Sequence, residues 1–136
     1  MKDAFSHYEL GFTIIDKQHL EIYTALCDLR DKAMAGAKSE DLDRIIDFIE
    51  KKTVTHVATE NRLMKEHNYE FKESHNHDNL QHVYDVRSLH LNHTPEYVIF
   101  TFNEILNHID YRDRIMVESF KRHNGRNGNS GPAPLL

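Results

Sequence analysis

His56-Val57-Ala58-Thr59-Glu60 sits inside a longer run, Leu42 to Met64, whose apolar positions return at the helical period. Leu42, Ile45, Ile46, Ile49 and Thr53 precede the stretch on one face, and Leu63 and Met64 follow it. A spacing of four puts His56 and Glu60 on that same face, stacked one turn apart. The run therefore predicts a long core-facing helix with an imidazole and a carboxylate in the middle of its apolar stripe. A charge there is costly unless something inside the fold compensates it. A metal ion is the economical candidate.

Working outward, the 136 residues suit one domain with a single core. The formal net charge is −5 and no basic block is present, which argues against nucleic acid as a partner. No apolar run approaches the length of a membrane span, and Met1-Lys2-Asp3-Ala4-Phe5 has no signal-peptide character, so no membrane insertion is expected. Cys27 is the single cysteine, which excludes an intrachain disulfide and a Cys-rich zinc site. These features point to a reducing, cytoplasmic setting. Eleven histidines are the anomaly.

Residues 1 to 15 read as an extended arm, and a first helix begins near Asp16 with the stripe His19, Ile22, Tyr23, Leu26 and Ala33. Gly36 stops it, and Ser39 is placed to cap the second helix, Leu42 to His67, which ends at Asn68. A third helix is expected from Phe71 to Leu91, with His75, Asn79, His82, Val86 and Leu89 on one face. Thr94-Pro95 opens a fourth, with Val98, Phe102, Ile105, Ile109, Met116 and Phe120 inward. Residues 124–136, rich in Gly, Asn, Ser and Pro, read as a flexible tail or linker after a bundle spanning 1–123. Four long helices joined by short turns predict an all-α, antiparallel up-down-up-down four-helix bundle.

Each helix brings histidine to a core-facing position: His19, His56 with Glu60, His75, and His108. Asp113 lies five residues after His108, so on a regular helix its side chain has to lean across the face. One inward histidine is usually a satisfied core residue; four, with two acids nearby, favour a metal site. Imidazole and carboxylate without thiolate suit iron, manganese or zinc. His77 points away from His75. His7, His67, His90, His93 and His123 have no carboxylate at a matching spacing.

Taken together, Gly11 with Ile15-Asp16-Lys17-Gln18-His19, His56-x-x-x-Glu60-x-x-Leu63-Met64, Tyr69 with His75, and Leu106-x-His108-Ile109-x-x-x-Asp113 resemble the hemerythrins, bacterial ones in particular. The resemblance spans nearly all of residues 5 to 120. It implies a centre of two non-haem iron ions, bridged by oxo or hydroxo and by carboxylates, that binds dioxygen. Glu60 and Asp113 would be the bridges. His19 and His56 would hold one iron, and His75 and His108 the other. The resemblance also implies dioxygen, small anions or nitric oxide as partners, and a possible fused C-terminal signalling domain.

One position departs from the family pattern. Where the third helix of the family carries a second histidine four residues after the first, this chain has Asn79. A carboxamide is a poor iron ligand beside imidazole, so that coordination position is expected to be open or filled by water. His82, one turn further on, is a candidate for a substitute ligand or for a group that orients the site. An open position favours an oxygen or redox sensor over a storage or carrier protein. The absence of Glu-x-x-His weighs against a ferritin-like di-iron enzyme of ferroxidase or peroxidase type, so no enzymatic activity is expected. A zinc or purely structural bundle is the remaining reading.

Overall fold

The computed structural model describes residues 5–130, with the side chains of 123–130 excepted. Residues 1–4 of the expected arm and 131–136 of the expected tail lie outside the described residues. The chain is all-helical, with no strand among the described residues. After a 3₁₀ turn at Ser6–Tyr8 come α1 (Thr13–Met34), α2 (Ser39–Glu66), α3 (Lys72–Ser88) and α4 (Pro95–His108). A π-helical segment at Ile109–Asp113 then joins α4 to α5 (Arg114–Ser130). Four helices pack in a closed ring: α1 on α2, α2 on α3, α3 lightly on α4, and α4 on α1.

Helix ends follow the chemistry of their residues. Gly36 adopts φ +79°, and the next amide, Ala37 N–H, donates to Lys32 O. Asn68 does the same at the end of α2, with φ 53° and Tyr69 N–H donating to Met64 O. Both are left-handed terminations that satisfy the last carbonyls of a helix. Thr94 accepts from Tyr97 N–H through its hydroxyl, and Pro95 stands at the first helical position.

Three boundaries differ from the sequence reading. α1 starts at Thr13 because Asp16 is already inside it, its carboxylate turned back to accept from the amides of Leu10 (2.7 Å) and Gly11 (2.9 Å). α2 begins at Ser39 itself, with Lys38 as the uncapped N-cap residue; the Ser39 hydroxyl is instead 3.0 Å from His93 Nε2. α5 runs on to Ser130, past Asn124 where a linker was expected. Glycine and asparagine weaken a helix without interrupting its ladder, and the first proline of that stretch is Pro132.

Two core clusters result. The larger joins Ile22, Leu26, Leu29, Ile46, Ile49, Val86, Leu89, Val98, Phe102 and Ile109. The smaller holds Leu10, Ile15, Leu63, Met64, Tyr69, Met116, Val117 and Phe120. Cys27 is buried in the first as a small apolar side chain. Buried polar residues that belong to neither cluster are His19, Thr53, His56, Glu60, His75, Asn79, Thr101 and Asp113.

Candidate metal centre

His19 on α1, His56 and Glu60 on α2, His75 and Asn79 on α3, and Asp113 at the end of the π segment are all buried, and His108 nearly so. The structure thus brings all six sequence candidates and Asn79 into one interior space. Asp113 reaches it without leaning. Arg114 N–H donates to Ile109 O, five residues back, and this wider turn carries residue 113 round onto the face of His108. The sequence reading assumed a regular α-helix, and the one-residue enlargement is what corrects it.

Two donor groups form. His19, His56, Glu60 and Asp113 make one, and His75, His108 and Asp113 the other, with the candidate ligand atoms of each within 4.8 Å of one another. In the first group the neighbouring distances are short: His19 Nε2 to His56 Nε2 3.0 Å, His56 Nε2 to Glu60 Oε2 2.7 Å, and His19 Nε2 to Asp113 Oδ2 2.9 Å. The cross distances are longer, 3.9 Å from His19 to Glu60 and 4.0 Å from His56 to Asp113. Short edges with longer diagonals are the pattern of ligands at right angles and opposite one another around one centre. Half a diagonal is about 2 Å, a metal–nitrogen or metal–oxygen bond length.

The second group is built by the other oxygens of the same carboxylates. Glu60 Oε1 is 2.9 Å from His75 Nε2, and Asp113 Oδ1 is 2.9 Å from His75 Nε2 and 3.0 Å from His108 Nε2. Each carboxylate therefore turns one oxygen to the His19–His56 pair and the other toward the His75–His108 pair. Asn79 completes this side, its Nδ2 donating to Glu60 Oε1 at 2.9 Å and its Oδ1 3.0 Å from His108 Nε2.

A cation fits these donors on the structure's own terms. Glu60 Oε2 and Asp113 Oδ1 are buried with no hydrogen-bond partner, although imidazole nitrogens stand within 3.0 Å of each. The lone pairs converge on shared points instead of pairing with N–H groups. Two imidazole Nε2 atoms facing each other at 3.0 Å likewise need a proton or a cation between them.

Without a metal, protons do this work. Burial opposes a charge on His56, but Glu60 and Asp113 outweigh it and push its pKa up to about 10. His75 is likewise pushed up to about 9 by Asp113 and Glu60 against its burial. His19 goes the other way, lowered by burial and by its neighbour His56. Burial and Asp113 act against the charge on Glu60, yet His56 and His75 hold it down at about 2. Asp113, against its own burial, is held well below the carboxylate range by His108, His19 and His56. The protonation of these five groups is linked, because each sits against at least one of the others.

Two features escaped the sequence, Gln18 and His90, and the candidate His82 finds its place. Gln18 Oε1 lies 2.8 Å from His56 Nδ1, while its amide donates to the Thr59 hydroxyl. That contact fixes Nδ1 as the protonated nitrogen of His56 and leaves Nε2 free as a ligand. We expect Gln18→Leu to weaken metal binding by about 10- to 100-fold at unchanged stoichiometry, measured by competition with a chromophoric chelator. His82 stands beside the site, its ring 4.1 Å from that of His108, but belongs to neither donor group. Burial, then His108, pushes its pKa down to about 4. His90 is the second of the features that escaped, facing Asp43 (2.9 Å) and Asp47 (3.1 Å) on α2. Its acids lie on another helix, where local spacing reveals nothing.

A scan of the chain against protein-family models finds no match, and comparison with curated proteins and with solved structures finds none. No helix of the described residues is long and apolar enough to cross a membrane.

Proposed function

We propose that this chain is a hemerythrin-like domain, an antiparallel up-down-up-down bundle that holds two non-haem iron ions between its helices and binds dioxygen. The observation that carries this reading is the division of labour within Glu60 and Asp113, each turning one oxygen to either pair of histidines. A single ion would need only one side of each carboxylate. Two irons held there would supply reversible binding of dioxygen and of small anions or nitric oxide. The protein's part is to fix the imidazoles, seal the site with Ile22, Ile105 and Ile109, and keep bulk water out. Iron-loaded protein should contain two irons per chain and gain in air a visible absorption absent from zinc-loaded protein, reversed by removing oxygen. One iron per chain, or identical spectra, would overturn the reading.

Within that reading we favour a sensor over a store or carrier, and a binding module over an enzyme. Asn79 leaves the His75–His108 side one imidazole short of the hemerythrin pattern, and a carboxamide yields to incoming ligands more readily than imidazole. Iron held there would pass readily to the ferric state in air, which would harm a carrier and serve a reporter of oxygen or redox state, whether alone or attached to a signalling domain. Asn79→His is expected to slow that oxidation on the order of tenfold, followed by the visible spectrum in air. An unchanged rate would return storage to first place.

A further inference from the structure

We propose that His82 is the hydrogen-bonding partner of a small ligand held beside Asn79, one of a few atoms bearing a hydrogen-bond acceptor, and that this side chain sets which such ligands the site retains. The inference rests on the metal reading above and adds a residue outside both donor groups. A cavity of about 30 Å³ lies among the donors, lined by His19, His56, Asn79, His82, His108 and Asp113, with Ile22 and Ile105 in its wall. That volume admits a water or a ligand of similar bulk.

His82 Nδ1 is buried and has no hydrogen-bond partner. Its nearest acid, Asp85 Oδ2, is 4.0 Å away, beyond hydrogen-bond reach. A buried polar atom left unpaired is costly, and a group in the cavity would pair it. Other polar lining groups outside the donor sets are already engaged. The Thr53 hydroxyl donates to Ile49 O at 2.7 Å, and the Asn79 carboxamide is taken up by Glu60 and His108. Direct ligation by His82 does not fit the placement. Seven residues along α3 separate its backbone from that of His75 by about 10 Å, and its ring is packed edge-on against His108. An intervening ligand spans the gap.

The test uses cobalt(II)-loaded protein and azide as the probe, with binding read from the visible spectrum. His82→Leu should weaken azide binding by about 10- to 100-fold, the worth of a hydrogen bond to a charged group. His82→Gln, which keeps a donor, should recover most of it. Cobalt content and the azide-free spectrum should match the parent in both variants. Unchanged azide affinity in His82→Leu overturns the proposal, with the metal reading intact. An altered azide-free spectrum also overturns it, since His82 would then be a ligand itself. Failure of the parent to bind cobalt removes the metal reading and this inference together.

Discussion

Glu60→Ala is expected to abolish the paired metal site proposed above, taking the metal content from the proposed two ions per chain to one at most and lowering the affinity for that one by more than about 100-fold. The side chain is fully buried, with Oε2 2.7 Å from His56 and Oε1 2.9 Å from His75. Removing it takes an anionic donor from the first group and the carboxylate oxygen that faces His75 beside the second. It also removes half of the negative charge that offsets the repulsion between two cations held close together. Glu60→Gln is the informative companion: it keeps the volume and one oxygen but loses the charge, and should fall between parent and alanine variant. Metal analysis showing two ions at parental affinity in Glu60→Ala would remove the bridging role.

Metal removal is expected to lower the melting temperature by roughly 10 °C or more when the loaded protein is compared at metal concentrations about 1,000 times the dissociation constant. A ligand that binds only the folded chain at that excess contributes about 4 kcal/mol, and no preformed site survives in the unfolded chain. The gap should widen with pH, and the sign follows from the two kinds of group. His56 and His75 have folded pKa values raised to about 10 and 9, so their contribution to the metal-free fold is complete below the unfolded value of 6.5 and lost as pH rises through 9 to 10. Glu60, held at about 2, contributes above its ordinary 4.5 and loses that contribution as pH falls through 2. Metal-free protein should therefore be most stable between about pH 4.5 and 6.5. Metal must displace the protons on His56 and His75, so its binding tightens over the same interval in which the metal-free form weakens. Thermal melts of zinc-loaded and metal-free protein at pH 6 and pH 8.5 should show the larger difference at pH 8.5. Equal melting temperatures at full occupancy would contradict a buried site.

Much of this was legible before any coordinates. Gly36, Asn68 and Thr94-Pro95 carry local backbone chemistry, which the sequence displays directly, and the structure places a termination or a start at each. The inward stripes were legible for the same reason, since a period of 3.6 residues is visible in the order of apolar side chains. Ser39 and Asp16 were misread because their side chains have a competing partner, His93 in one case and the amides of Leu10 and Gly11 in the other. Capping residues advertise a capacity, and tertiary neighbours decide how it is used. Gln18 was visible only as part of a motif. Its role depends on facing His56 from a different helix, thirty-eight residues away. Asp113 was identified, but the way it reaches the site was not: its position depends on which hydrogen-bond register the backbone adopts, and side-chain order does not reveal that.

That register has a consequence for how the last rod of the protein is drawn. A single helical wheel through residues 95 to 120 smears its apolar arc, because the residues after Asp113 are out of phase with those before His108. Two wheels, offset by one position, are both clean. Val98, Phe102, Ile105 and Ile109 address one core cluster, and Met116, Val117 and Phe120 address the other. The extra residue acts as a phase slip in a continuous rod, and the donor atoms lie at the seam. Tyr111, inside the slip, is exposed, so the outer surface absorbs the added length. Any alignment of this chain that closes up that residue will set Asp113 on the wrong side of its helix and leave the second carboxylate unrecognised.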